Sequence, residues 1–499
     1  MEPLVLDICK AVRDAGGRAI LVGGSVRDHL LELESKDFDI EVYALSPARL
    51  REVLEAIAQV NTVGEQFAVY KLALPRRGNN QAVSRSNLAF DAYEASGAQP
   101  DPPVQAPDQQ CGNFVGITEI DVSIPRRESK SGSGHRGFLI TGDPSMSFEE
   151  AARRRDFTVN AIGYDPLTKE TIDPTGGFED LKRHLLRAVS AETFVEDSLR
   201  VLRAMQLAAR FEMAIEDRTV ELCRSIDLSD LPHERVWGEF EKLLIGARKP
   251  SIGLQAALDL LILDKLFPAI RAIVGCRQNP QIHPEGDVFT HTKLVLDQAA
   301  PLAQSLPKPK RIAVMLATLL HDLGKPLTTG EVDGKISHFG HDEAGVKPAE
   351  SVLDTLGLYT LDGYNVRSQV LSLVREHLRP GQLYKDPANA SEGTFRRLAR
   401  RVDIGLLYLV SKADALGRGP NSSAAAEEWF IERAKEIGVE HGPPSPLLQG
   451  RHLVEAGFEP GPRMGNTLRE IYELQLDGKV TTLEEALAAA GANPKTQRK

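Results

Sequence analysis

A chain of 499 residues is long enough for several domains of about 100–150 residues each. Its 42% hydrophobic and 26% charged residues are ordinary for a soluble globular protein, and the longest apolar candidate, Ile312–Leu320, is too short for a membrane span and runs straight into His321 and Asp322. The net charge of −10 argues against a uniformly cationic nucleic-acid binder.

Local basic clusters matter more than that sum. They lie at Arg126, Arg127, Lys130, His135 and Arg136, at Arg153–Arg155, and at Lys182, Arg183, His184 and Arg187. The N-terminus has acids early and no basic segment leading into an apolar core, so it does not resemble a signal peptide. Cys9, Cys111, Cys223 and Cys276 are scattered without CxxC spacing, as expected of reduced thiols in a cytoplasmic protein.

In chain order, Leu4, Ile8 and Val12 predict a helix over 4–16, ended by Gly16-Gly17. A strand follows at 18–22, a short helix at 26–33 and an acidic strand at 37–43. Ser46 caps a helix over 46–59 with Pro47 at its first position. Strands are expected at 67–74 and 116–124. Between them, residues 75–113 are rich in Asn, Gln, Ser, Pro and Ala and read as a disordered insertion. This mixture predicts a small α/β catalytic domain; from residue 146 onward the helical period dominates. Residues 421–445 read as a mobile connector to a small helical C-terminal segment.

Residues 20–42 carry the strongest chemical signal. Strand positions i and i+2 share a face, so Asp37 and Asp39 meet on one side and Phe38 and Ile40 on the other. Two hard oxygen ligands suit Mg²⁺. Gly23 and Gly24 let backbone N–H groups approach a phosphate at a helix start. Together they suggest metal-assisted nucleotidyl transfer. Two metals want a third carboxylate; Asp121 in ITEIDVSIP is the candidate and Glu119 its rival.

The pattern from Gly23 to Asp39, GG-x-VRD-x-L followed by DxD, resembles the signature of class II tRNA nucleotidyltransferases and bacterial poly(A) polymerases. The segments ARRRDFTVNAIGYDP (152–166), DPTGGFEDL (173–181), EDSLRVLRAMQLAARF (196–211) and HERVWGEFEKLL (233–244) are similar to that family's further motifs, in family order. The resemblance implies an α+β fold: a polymerase-β-like nucleotidyltransferase head followed by a mostly α-helical neck and body. It implies catalysis at Asp37, Asp39 and Asp121, triphosphate contacts at Gly24 and Arg27, nucleotide contacts at Arg154 and Arg203, and base readout by Asp197 and Arg200. A carboxylate that accepts and a guanidinium that donates can together read a single base edge. Asp156 and Asn160 are expected to brace the site, with Phe157 and Val159 in the core.

CCA addition and poly(A) addition share these motifs. The segment VGEQF, with Glu65 and Gln66 where the poly(A) polymerases carry a basic pair, resembles the CCA-adding version, as does the Gly-containing segment 126–138.

A second constellation lies at 283–414. His291, the pair His321-Asp322 and Asp414 match the pattern of HD-family phosphohydrolases, with His338, His341 and His377 as further possible ligands. Imidazoles and carboxylates can together hold a divalent metal that activates water. A nucleotidyltransferase head followed by an α-helical HD domain resembles the multifunctional CCA proteins. That resemblance implies a CCA tRNA nucleotidyltransferase acting on the tRNA 3′ end with CTP, ATP and Mg²⁺, with phosphatase or 2′,3′-cyclic phosphodiesterase activity at the HD site. A poly(A) polymerase, a CC- or A-adding enzyme, or a protein with an inactive head is the alternative. The expected domains are a head at 1–165, a neck and body at 166–282, an HD domain at 283–420 and a connector with a C-terminal segment at 421–499.

Overall fold

The computed structural model describes residues 3–33, 37–58, 60–62, 69–72, 119–130 and 138–491. The expected insertion at 75–113 and the discriminating residues Glu65 and Gln66 lie outside the described residues, as does Cys111. The chain divides into two compact units, Met1–Leu181 and Lys182–Lys499.

The first unit opens with α1 (Pro3–Asp14), whose three- and four-residue spacing buries Val5, Ile8, Cys9 and Val12 on one face. Next come β1 (Arg18–Val22), α2 (Gly24–Leu30), β2 (Asp37–Tyr43) and α3 (Pro47–Glu55). The start of α3 is as expected: Ser46 Oγ accepts the Arg49 N–H and Pro47 fills the first position. There follow β3 (Val60–Thr62), β4 (Val69–Leu72), β5 (Glu119–Ser123), β6 (Arg126–Lys130), β7 (Phe138–Gly142), α4 (Phe148–Ala152), β8 (Gly163–Asp165) and β9 (Glu170–Ile172). Among the described residues, seven strands form one sheet in the order β3-β4-β5-β2-β1-β8-β9, and β6 and β7 form a separate ribbon.

The sheet's main core is built from Ile40 and Val42 of β2, Ile120 and Val122 of β5, and Leu50 and Leu54 of α3, with the buried face of α1. Phe38 packs against it. The pleat therefore turns Asp37 and Asp39 to the other side, where both are exposed.

The sequence expectation ended the head at residue 165 and read the helical period as dominant from about 146. In fact β8 pairs antiparallel with β1 (Leu21↔Tyr164) and β9 pairs with β8, so the head's sheet continues to Ile172. Strands of three residues are too short to show a period of two.

The second unit is mostly helical, with short strand pairs at Leu185–Leu186 with Ala214–Ile215 and at Gly330–Val332 with Lys335–Ser337. The helix Leu199–Phe211 packs on His233–Gly246 and on Pro250–Asp259. Pro250–Asp259 packs in turn on Val288–Leu302, which packs on Lys308–Leu320 and Ile404–Gly417. The expected boundary at 282/283 thus crosses continuous helix packing. The expected connector at 421–445 contains the helix Ala425–Ile437, which buries Phe430, Ile431 and Ala434. Cys9 and Cys223 are buried free thiols. Among the described residues no helix is long and apolar enough to cross a membrane.

Candidate functional site

In the first unit, parallel pairing of β2 and β5 places Asp37 opposite Glu119 and Asp39 opposite Asp121. Antiparallel pairing of β4 and β5 places Lys71 opposite Asp121, with Nζ 3.6 Å from Oδ1. Gly23 ends β1 and precedes α2 with φ +72, a conformation that disfavours any side chain. A Cβ there would lie 3.2 Å from Asp39 Oδ2 and 3.6 Å from Arg155 Nη1, so the Gly-Gly turn sits directly against the carboxylate.

Desolvation raises the Asp39 pKa, the Asp121 carboxylate adds to this, Arg155 opposes it, and Asp37 and Glu41 push it up further. Asp121 Oδ1 is buried and makes no hydrogen bond. Crowded carboxylates with an unbonded buried oxygen fit a divalent cation, which removes their mutual repulsion.

Arg27 is 5% exposed. Its Nε and Nη2 donate to Asp28 Oδ1, and its Nη1 donates to Asn160 Oδ1 at 2.7 Å. The expected triphosphate ligand is therefore buried in a clamp beneath the turn. Asn160 in turn donates to Asp156 Oδ1, which also accepts the Phe157 N–H, so the two side chains tie Arg27 to this segment. Phe157 and Val159 are buried in the core. Arg154 is half-buried. Its neighbour Arg155, noted in the sequence only as part of a basic cluster, faces the acidic strand: Nη2 donates to Glu41 Oε2 at 3.1 Å. Lys71 was passed over, because its only signal is a cross-strand register.

In the second unit, Asp197 precedes the helix Leu199–Phe211 instead of lying on it, and its Oδ1 accepts the Leu199 N–H. Arg200 and Arg203 are in the helix. Arg200 Nη1 donates to the Thr193 carbonyl at 2.6 Å. Asp197 Oδ2 accepts from Arg235 Nη2 at 3.1 Å. Arg235 is the arginine of the HERVW motif, singled out as a motif but not as a functional residue.

The histidine-rich centre lies wholly within the second unit. His291 is on Val288–Leu302, His321-Asp322 follow Lys308–Leu320, and Asp414 is on Ile404–Gly417. Two close approaches bring these elements together. A Cβ on Gly417 would lie 2.4 Å from Val295 Cγ2, and one on Gly324 would lie 2.0 Å from the His341 carbonyl oxygen. Helices crossing that closely set His291 Nε2 3.0 Å from Asp414 Oδ1.

All four expected ligands converge. His291, His321 and Asp414 offer ligand atoms within 4.8 Å of one another, and so do Asp322, His341 and His377. Asp322 joins the two groups: Oδ2 lies 3.2 Å from His321 Nε2 and 3.8 Å from His291 Nε2, while Oδ1 lies 3.3 Å from His341 Nε2. His321 Nε2 is buried without a hydrogen bond, which is how a ligand atom facing a cation should look, while Asp322 Oδ2 is ion-paired with Lys325. The donor set of imidazoles and carboxylates fits a divalent metal in each group.

Fixed cations back the carboxylates. Lys325 Nζ, buried, is 2.7 Å from Asp322 Oδ2, and Arg418 Nη2 is 3.0 Å from Asp414 Oδ2. Burial works to raise both carboxyls, but His321 and Lys325 at Asp322, and Arg418 and His291 at Asp414, hold them well below the usual range. Burial pushes His377 down to about 3, helped by His321 and His341, so its imidazole is neutral at neutral pH. Lys325 belongs to the HDLGK stretch but was not foreseen as part of the centre.

Residues 19–187 match the family model described as "Poly A polymerase head domain", and residues 288–419 match "HD domain". The Multifunctional CCA protein of Xanthomonas campestris pv. campestris (strain B100) is 32% identical over 463 residues, covering 90% of this chain and 95% of that protein. That of Mannheimia succiniciproducens is 35% identical over 454 residues, covering 88% and 92%. Among solved structures, the Bacillus stearothermophilus CCA-adding enzyme in complex with CTP aligns with a TM-score of 0.57 at 19% identity, covering 98% of each chain. The Thermotoga maritima CCA-adding enzyme complexed with tRNA aligns at 0.56 and 18% identity, covering 99% of this chain and 96% of that one, a likeness of fold. With a head and an HD domain in the same order and matches along nearly its whole length, the chain belongs to the multifunctional CCA protein family.

Proposed function

We propose that this chain adds C, C and A to the 3′ end of tRNA from CTP and ATP without a template, and hydrolyses phosphoesters at its HD centre. The observation that carries the first activity is the β2–β5 register, which lines up Asp39 and Asp121 beside Asp37 under the Gly-Gly turn. In each addition the tRNA 3′-oxygen bonds to the α-phosphorus of the nucleotide, and the bond from that phosphorus to the bridging oxygen breaks, releasing pyrophosphate. Mg²⁺ held by Asp37 and Asp39, with Asp121 as third carboxylate, would activate the hydroxyl and neutralise charge on the transferring phosphate. The Gly23–Gly24 turn receives the triphosphate, and Arg27 lends positive charge from beneath it. Arg154 and Arg203 contact the nucleotide. Asp197, held by Arg235, and Arg200 read the base edge through one acceptor and one donor set.

At the HD centre, His291, His321 and Asp414, with Asp322 beside them, would hold one divalent ion, and Asp322, His341 and His377 could hold a second. Ions in such sites make hydroxide available near neutral pH. Lys325 and Arg418 fix the orientation of the two carboxylates. The substrates that suit this centre are phosphomonoesters and 2′,3′-cyclic phosphates of RNA ends.

The test is a tRNA truncated before CCA, incubated with CTP alone, ATP alone and both. Three added nucleotides, lost in Asp37→Ala and kept in His321→Ala, are the expected result. A long A tail from ATP alone would establish a poly(A) polymerase instead.

A further inference from the structure

The turn before the helix Val288–Leu302 carries a carboxylate that none of the assigned roles uses. Glu285 has a side chain only 4% exposed, and its Oε1 lies 2.7 Å from His291 Nδ1. The other ring nitrogen of His291, Nε2, faces Asp414 Oδ1 at 3.0 Å and Asp322 Oδ2 at 3.8 Å. The same Glu285 oxygen lies 2.8 Å from His283 Nδ1, and the two imidazoles meet edge to face at 4.8 Å between centroids. The turn itself is fixed. Asp287 Oδ1 accepts the Thr290 N–H, and its Oδ2 accepts the Gly275 N–H at 2.6 Å.

We infer that Glu285 is a positioning residue of the HD centre, which holds His291 as the Nδ1–H tautomer and aims its Nε2 lone pair at the ion. This rests on the metal-binding reading of His291 given above. A neutral imidazole has one donor and one acceptor nitrogen, and the partner of one decides what the other can do. A carboxylate 2.7 Å from Nδ1 draws the proton there by its charge, although the pair lies off hydrogen-bond alignment, and makes Nε2 a stronger ligand. His283 binds the same oxygen and keeps the carboxylate from turning away. The trio is not a metal site of its own. Both nitrogens lie at hydrogen-bond distance from a single oxygen, closer than two atoms sharing a tetrahedral ion at about 2.0–2.2 Å would sit.

The experiment titrates the full chain with Co²⁺, following visible absorbance and heat, in wild type, Glu285→Ala and Glu285→Gln. His321→Ala identifies which bound ions belong to the histidine-rich centre. Glu285→Ala is expected to weaken that binding about 10–100-fold with the number of ions unchanged. Glu285→Gln, which still accepts from Nδ1, is expected to fall between, about 3–10-fold weaker. Nucleotide addition by both variants should match wild type. Unchanged Co²⁺ affinity in both variants overturns the proposal while leaving the metal reading intact. Loss of one whole ion in Glu285→Ala also overturns it, by making Glu285 a ligand. Absence of any histidine-dependent ion in wild type overturns the metal reading itself. If Glu285→Ala does not fold, the near-isosteric Gln variant decides alone.

Discussion

Gly417→Ala is the sharpest test of how the histidine-rich centre is assembled. The added Cβ would lie 2.4 Å from Val295 Cγ2, 3.0 Å from Val295 N and 3.1 Å from Val295 Cα. The valine side chain has one strongly preferred rotamer in a helix and cannot simply swing aside. The two main-chain contacts leave no rotamer solution at all, so the helices Val288–Leu302 and Ile404–Gly417 must part by a few tenths of an ångström. His291 lies one turn before Val295, and Asp414 lies one turn before Gly417, so their 3.0 Å contact opens by a similar amount. Metal–ligand distances tolerate about 0.2 Å. The variant is expected to lose about 1–2 kcal/mol of stability, an overpacking cost of about 1–3 kcal/mol partly offset by alanine's better helix propensity. Co²⁺ affinity at the histidine-dependent sites should fall about tenfold, with nucleotide addition to truncated tRNA unchanged. Thermal unfolding and ion titration read these directly. Wild-type affinity together with a wild-type unfolding midpoint would refute the claim that this crossing sets the ligand geometry.

Three further outcomes are expected. Arg235→Ala frees Asp197 from its 3.1 Å partner and should raise KM for CTP and ATP about 3–10-fold, the pair being partly exposed; steady-state kinetics with unaltered KM for both nucleotides would remove Arg235 from base selection. His377→Ala should lose one of two histidine-dependent ions, whereas a wild type that binds only one would rule out a separate second position. In the head, burial works to raise the Asp165 carboxyl, but Arg18 and the Thr168 and Leu167 N–H groups outweigh it and hold its pKa below the usual value. Its stabilisation is therefore complete above the unfolded value near 3.9, and is lost as pH falls through the depressed one. Asp165→Asn should speed hydrogen exchange in β1 at pH 7 and match wild type in strong acid; a difference that persists at low pH would contradict the linkage.

What the sequence made legible follows from the range of the physics involved. Asp37 and Asp39 needed only the strand period, and their shared face is where that period puts them. Asp121 depended on a parallel register formed across more than seventy residues of chain; alternation alone left Glu119 equally placed, and only pairing sets Asp121 opposite Asp39. The helix Ala425–Ile437 was masked by the Ser- and Ala-rich start of its segment, although Phe430, Ile431 and Ala434 give it a buried face. Asp197 stands three residues before Arg200, a spacing that suits a helix, yet its carboxylate accepts the Leu199 N–H just outside the helix. Arg155, Arg235, Lys325 and Glu285 act on other functional side chains through contacts that no local spacing encodes. Their signals were proximity to motifs: Arg155 in the RRRD run, Arg235 in HERVW, Lys325 in HDLGK, and Glu285 two residues after a histidine at the head of a ligand helix.

The two centres differ in a way that matches their proposed chemistry. The head offers carboxylates only, with Asp37 and Asp39 exposed and the Asp39 pKa raised by desolvation and by neighbouring acids. Hard oxygen ligands in contact with water suit an ion that arrives with a triphosphate and departs with pyrophosphate. The HD centre offers imidazoles and carboxylates, with His291, His321, Asp322 and His377 at most 2% exposed. There each carboxylate divides its work: Asp414 Oδ1 faces His291 while Oδ2 is held by Arg418, and Asp322 meets one histidine group with each oxygen while Lys325 anchors it. Such a cluster is costly to bury and is worth its cost when a resident ion takes up the ligand atoms left without hydrogen bonds. The HD residues come from 283–418 and the carboxylates proposed to hold Mg²⁺ from 37–121, so a substitution that empties one centre should leave the ion-binding residues of the other in place.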